Sequence, residues 1–373
     1  EQSKVPRDKN GKIIYKIWFI KKENIFDIEP FKFSGSKKNK FILNNIKKLT
    51  KHHYNRSHEY KKILKFLNFK LNSNNNKIEN YPFLPVRLFK YYELLSIQKK
   101  NVFKTLMSSG TSENIPSKIF LDKKNAYNQT KVLAKIMNTI LGKKRLPMMI
   151  VEKDISKINR NSFNAKAAAI KGFSVFGKDY TYIINDNNTI NHKKISSFLE
   201  KFGKEPFFIF GFTYNIYNYL FKQLNQNKLN FNFQNGILLH GGGWKKMEKI
   251  KINNKDFKNI LRKKLQLKNI YNYYGLIEQT GSIFIECQKC SNFLTSIFSD
   301  VIIRDKHMNV LQEGKKGFIQ LISLLPRSYP GHIILTEDIG EIVENDCSCK
   351  NLGKRFKVLG RSEKSETRGC SDI

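Results

Sequence analysis

Apolar residues fall along the chain in two rhythms. Within 48–69, Tyr60, Ile63, Leu64 and Leu67 recur at intervals that predict a helix. From Asn101 onward, compact apolar runs of strand character alternate with amphipathic stretches. The runs predict strands at 102–107, 147–151, 207–212, 236–240 and 270–274, and the stretches predict helices at 195–202, 214–224 and 257–265. One further helix has both ends marked. Asp122 stands where an N-terminal cap belongs, the stripe Val132, Leu133, Ile136, Met137 and Ile140 follows, and Gly142 stops it. Alternation of this kind predicts an α/β body, a mainly parallel sheet with helices on both faces. Beyond Gly281 the rhythm changes. Short β-rich runs at 282–286, 301–304, 318–322 and 332–335 are separated by turn residues with no helical period, which reads as a small β-rich subdomain. The expected organisation is a basic N-terminal extension (1–30), an α/β body (31–281), the β-rich subdomain (282–360) and a short tail (361–373).

The chain has 373 residues, 40% of them hydrophobic, which is enough for a real core and excludes wholesale disorder. No apolar run approaches the roughly 20 residues that span a bilayer. The run from Ile13 to Ile20 is interrupted by Lys16 and is too short for a signal-peptide core, so a cytoplasmic protein is expected. The formal charge of +37, from 68 Lys and Arg against 31 Asp and Glu, raises the question of a polyanionic partner. Only eleven of those residues are Arg, and the lysines are scattered among asparagines, as in 72–77. A biased, solvated surface accounts for this pattern better than a specific nucleic-acid site, which would lean on the planar guanidinium fork.

Five segments carry candidate chemistry. Ser108 to Lys118 is a hydroxyl-rich stretch after a strand; Ser109, Thr111, Ser112 and Lys118 suit phosphate oxygens, and an ordinary Ser-rich loop is the alternative. Its spacing is not that of a Walker loop. His240-Gly241-Gly242-Gly243-Trp244 ends another strand, where glycines allow either close approach to a flat ligand or a sharp turn. Tyr274-Gly275-Leu276-Ile277-Glu278 joins a ring that can stack on a base to a carboxylate that can hold a hard cation. Asp338 could accept both hydroxyls of a ribose. Arg361 precedes a tail that contains Arg368 and Cys370, and a nearby arginine favours the thiolate. Cys287-x-x-Cys290 and Cys347-x-Cys349 make a plausible tetrahedral zinc set. His52, His53 and His58 have no such spacing and read as structural.

In their order these segments resemble the adenylate-forming superfamily, and more closely the acyl-protein synthetase (LuxE) family. The closer resemblance runs from about Phe31 to the C-terminus. It rests on His52-His53-Tyr54, the stretch from Pro82 to Lys90, Phe210-Gly211-Phe212-Thr213, the stretch from His240 to Lys246, Tyr274 to Glu286, Leu324 to His332, and Gly360 to Asp372. Glu113 stands where the superfamily has a glycine, with the lysine following later than usual.

The resemblance implies the large N-terminal domain of an adenylate-forming enzyme with a β-rich subdomain and without the mobile C-terminal domain. It implies ATP-dependent activation of a fatty acid as acyl-adenylate, with Mg²⁺, and then self-acylation of a cysteine matching Cys370. Ser109, Thr111, Ser112 and Lys118 would hold phosphates, and Gly242, Gly243 and Tyr274 the adenine. Glu278 would position Mg²⁺, while Asp338 and Arg361 would bind ribose and phosphate. Cys287, Cys290, Cys347 and Cys349 would hold a structural Zn²⁺. The implied partner is an NADPH-dependent acyl-protein reductase in a multienzyme complex that makes fatty aldehyde. An acyl- or aryl-CoA ligase similar to phenylacetate-CoA ligase is the alternative.

Overall fold

The computed structural model describes residues 25–71, 75–108, 115–155, 165–242, 247, 250, 252–344, 347–349 and 351–362. Strands follow in chain order as β1 Leu84–Pro85, β2 Lys104–Met107, β3 Lys118–Leu121, β4 Leu146–Ile150, β5 Gly177–Tyr182, β6 Phe207–Phe212, β7 Gly236–Gly241 and β8 Asn269–Tyr274. The β-rich part adds β9 Phe284–Glu286, β10 Phe293–Leu294, β11 Ser299–Arg304, β12 Gly317–Ser323, β13 Ile333–Val343 and β14 Arg355–Arg361. Twelve of the fourteen form one sheet, in which β5, β4, β6, β7 and β8 run parallel in that spatial order. β8 then pairs antiparallel with β9, so the β-rich strands continue the sheet edge to edge.

Strand alternation explains why this sheet is covered twice. Met149, Val151, Phe207, Ile209 and Leu238 face one core, under the helices His192–Phe202, 213–226 and Asn254–Leu265. Met148, Ile150, Phe208, Phe210 and Leu239 face the other, under the helices Lys123–Leu141 and Ala165–Ser174, and that core extends to Ile285, Phe298 and Leu325 of the β-rich part. β6 therefore has no exposed face, and all six of its residues are buried.

The helix after Asp122 forms as expected over Lys123–Leu141. The Asp122 carboxylate accepts from the Asn125 N–H at 2.6 Å, and Gly142 closes the helix at φ +75. The helix expected within 48–69 is two: one from Gly35 to Arg56 and a second from His58 to Phe66, parted at Ser57, whose hydroxyl caps the second. The stretch expected as a helix at 214–224 contains a π-helical segment, Ile216–Gln223. The strand expected at 102–107 does not enter the parallel sheet. β2 and β3 form their own antiparallel hairpin, with Met107 opposite Lys118. The run expected at 332–335 opens an eleven-residue strand, β13, long enough to pair with β1, β12 and β14.

Candidate active site

The chemistry-bearing segments meet at the carboxyl edge of the parallel strands, where open α/β sheets bind ligands. β7 ends at Gly241, and Gly242 follows at φ +63, so the turn itself requires a glycine there. Tyr274 is the last residue of β8. Its ring packs 5.9–6.1 Å from those of Phe284, Phe293 and Phe356, and its hydroxyl donates to Asp338 Oδ2 at 2.6 Å. Burial, and then the Asp338 charge, push that hydroxyl well above its ordinary pKa.

Asp338 lies on β13 opposite Arg361, the last residue of β14. Arg361 Nε approaches Asp338 Oδ1 at 3.4 Å, and its Nη2 reaches Glu337 Oε2 at 2.9 Å. Burial raises the Asp338 carboxyl, although the Tyr274 hydroxyl and the Arg361 charge favour its ionised form. Glu278, on the short turn after β8, is 5% exposed, and burial lifts its carboxyl above the usual range. A hydrogen bond from Ser117 and the Lys90 charge act the other way. Its carbonyl accepts from the Tyr329 hydroxyl at 2.8 Å. A Cβ on Gly331 would lie 2.9 Å from the same carbonyl and 2.3 Å from the Tyr329 ring, so that close packing needs a glycine.

Ser117 links the hydroxyl-rich segment to Glu278. It closes the β2–β3 hairpin with Ser108: the Ser108 N–H donates to the Ser117 carbonyl at 3.0 Å, and the Ser117 N–H donates to Ser108 Oγ at 2.8 Å. Lys118 begins β3, is exposed, and its charge reaches Glu93. Ser109, Thr111, Ser112, Gly243 and Cys370 lie outside the described residues. Tyr274, Asp338 and Arg361 are thus in direct contact, Glu278 is close enough to feel the Asp338 charge, and Gly242 is one strand away.

Sequence reasoning assigned no role to Ser117, Arg87, Lys90 or Glu337. Arg87 and Lys90 arrive because β1 runs parallel to β13, Leu84 beside Ile334, and the Val86 N–H donates to the Leu335 carbonyl at 2.9 Å. The helix Leu88–Tyr91 then carries Lys90 toward Glu278. Residues this far apart in sequence leave no local signal of their meeting. The quoted stretch Pro82 to Lys90 was the one available pointer.

The four cysteines lie at the other end of these strands from the site, at the β9–β10 turn and the β13–β14 connection. Cys287, Cys347 and Cys349 have sulfurs within 4.8 Å of one another, and Cys290 is in hydrogen-bonding range of Cys347. Cys287 Sγ and Cys347 Sγ are 3.7 Å apart. A Zn–S bond of about 2.3 Å puts tetrahedral sulfurs about 3.8 Å apart, so the spacing fits zinc. Burial pushes the Cys287 thiol up; it opposes the Cys347 thiolate too, but hydrogen bonds from the Cys349 N–H and neighbouring thiols bring Cys347 down to about 7. Arg355, 1% exposed, donates from Nη2 to Cys349 Sγ at 2.8 Å.

His53 is buried, its Nδ1 2.7 Å from Ser96 Oγ and its ring stacked 4.8 Å from that of His332, whereas His58 is exposed beside Glu59. No helix among the described residues is long and apolar enough to cross a membrane.

The fold is shared with 2-hydroxyisobutyryl-CoA ligase. An open conformation of 2-hydroxyisobutyryl-CoA ligase, in complex with 2-HIB-AMP and CoA, is 12% identical and superimposes with a TM-score of 0.69, covering 90% of this chain and 77% of that one. The same ligase in the postadenylation state with R3-HIB-AMP gives 14% identity and a TM-score of 0.67, covering 88% and 69%. The chain belongs to the acyl-protein synthetase (LuxE) family, whose family model matches residues 15–373, and this places it among the ligases. The long-chain-fatty-acid–luciferin-component ligase of Aliivibrio fischeri is 21% identical over 354 residues, covering 93% of this chain and 91% of that protein.

Proposed function

We propose that this ligase activates a fatty acid with ATP and then acylates its own Cys370 for delivery to an acyl reductase that makes fatty aldehyde. The observation that carries the reading is the convergence of Tyr274, Asp338, Arg361 and Glu278 at one sheet edge, beside the hairpin whose connection bears Ser109, Thr111 and Ser112. In the first step a carboxylate oxygen of the fatty acid attacks the α-phosphorus of ATP, the bond to the β-phosphate oxygen breaks, and pyrophosphate leaves. In the second the Cys370 thiolate attacks the acyl carbon, a thioester forms, and AMP departs with the electron pair.

On this reading each residue has a chemical role. Asp338 accepts from the ribose hydroxyls, Arg361 offsets phosphate charge, Gly242, Gly243 and Tyr274 bound the adenine, and Lys118 joins the hydroxyls on the phosphates. Mg²⁺ would lower the barrier by neutralising phosphate charge, with the buried Glu278 as its protein ligand; one carboxylate plus substrate oxygens suits that ion. Cys287, Cys290, Cys347 and Cys349 would hold a structural zinc, a role their sulfur spacing suits.

The test is intact-protein mass spectrometry after incubation with Mg-ATP and a long-chain fatty acid. A mass increase of one acyl group, removed by hydroxylamine and absent in Cys370→Ser, is expected. A thioester formed on free coenzyme A, with Cys370 dispensable, would instead identify a CoA ligase.

A further inference from the structure

Two consecutive acids of β13 grip one guanidinium. Neighbours on a strand point to opposite faces, yet Glu337 Oε2 and Asp338 Oδ1 both contact Arg361. The pairing of β13 with β14 supplies the reason. Asp338 faces Arg361 and Ile339 faces Gly360, but Gly340 faces Val358, so Leu359 is an extra residue on β14. It bulges outward, 41% exposed, and such a bulge re-aims the residues beside it. The Ser362 N–H continues the contact, donating to the Glu337 carbonyl at 2.9 Å.

The second oxygen of Glu337 is also used. Oε1 accepts from Arg87 Nε, which β1 has delivered along β13. One carboxylate is therefore shared between two arginines from distant segments, each on its own oxygen. The Glu337 side chain is 16% exposed and that of Arg361 25%, so these charges are shielded more than those of a solvated surface pair.

We propose that Glu337 is a positioning residue: anchored by Arg87, it draws the Arg361 guanidinium partly off Asp338, keeping the Asp338 carboxylate available to the nucleotide. The inference rests on the assignment of Asp338 and Arg361 to ATP made above. Without Glu337, Arg361 closes as a fork on Asp338, because paired, charge-assisted hydrogen bonds are the preferred arrangement of these two groups. ATP must then displace it.

The experiment compares wild type with Glu337→Gln, Arg87→Gln and Arg87→Lys. It reads ATP affinity by calorimetry and the KM values for ATP and fatty acid by pyrophosphate release. Glu337→Gln should raise Kd and KM for ATP about tenfold, the loss of one charge-assisted bond, and leave kcat, the fatty-acid KM and the melting temperature near wild type. Arg87→Gln should shift the ATP terms in the same direction, Arg87→Lys should restore part of the loss, and the double glutamine variant should match Glu337→Gln. ATP affinity unchanged within twofold in Glu337→Gln overturns the proposal, as does an equal loss for both substrates with a lowered melting temperature. If Glu337→Gln fails to fold, Arg87→Gln decides by the same ATP readout. Wild type that binds ATP without fatty-acid-dependent pyrophosphate release overturns the activation reading only, since the calorimetric comparison still reports on Glu337. Wild type that binds no ATP overturns both.

Discussion

Ser117 illustrates how much one hydroxyl can govern. Burial lifts the Glu278 carboxyl, and the hydrogen bond from Ser117 is the first of the interactions that hold it down. Replacing Ser117 with Ala removes that donor, so the carboxyl rises further and ionises only at higher pH. If the ionised carboxylate serves pyrophosphate release, the acid limb of the rate profile moves toward alkaline pH. Activity should fall on the acid side of the profile and recover as the pH is raised. A pH–rate profile checks this, and an acid limb that stays in place would remove Glu278 from the step. The sequence offers no sign of this role, because Ser117 acquires it only when the β2–β3 hairpin meets the turn after β8.

At the level of elements, what was legible depended on whether neighbours in sequence did the work. β6, six buried residues in a row, and the helix capped by Asp122 and ended at Gly142 carry their own signals. β5 reads Gly-Lys-Asp-Tyr-Thr-Tyr, a polar edge strand whose form comes from pairing with β4. β14 alternates buried Phe356 with exposed Lys357 and is fixed by β13 and β10. Neither has an apolar run like that of β6 to announce it. The cysteine pairs were visible by spacing, but their meeting depends on the β9–β10 turn and the β13–β14 connection lying side by side. That placement would give the proposed zinc an element-level task, tying the strand after Glu278 to the strand that ends at Arg361. About one zinc per chain is expected by elemental analysis, falling sharply in Cys287→Ser, with a loss of at least ~2 kcal/mol in stability. Full-length protein prepared without chelator that contains no zinc would count against the assignment.

Taken as a whole, the molecule buries imidazoles at the seams between its parts. His53 and His332 stack where the N-terminal helix meets the 326–332 segment, and His240, beside Thr213, is the penultimate residue of β7. Burial depresses all three, His240 and His332 to about 3. The unfolded chain takes up a proton near pH 6.5 and the folded chain does not, so their contribution is whole above pH 6.5 and is lost as pH falls toward 3. The slope is about 1.4 kcal/mol per pH unit for each of His240 and His332 in that window. The raised carboxyls Glu278, Glu286 and Asp338 oppose it, since their protonation favours the folded state. Urea titrations of wild type and His332→Gln at several pH values isolate one histidine: the variant should lose one proton's worth of slope between pH 6 and 4. Parallel curves would contradict the neutral, buried assignment. The anchoring of Ser362 to Glu337 has its own consequence at this scale. Eight residue steps separate Ser362 from Cys370, and covalent geometry alone keeps a residue that many steps away within about 29 Å of the anchor. Tethering of this kind corresponds to an effective concentration in the millimolar range. On the proposed self-acylation, a dissolved thiol of equal reactivity would have to reach that concentration to compete with Cys370 for the adenylate, so confinement would disfavour free thiols without a pocket built to exclude them.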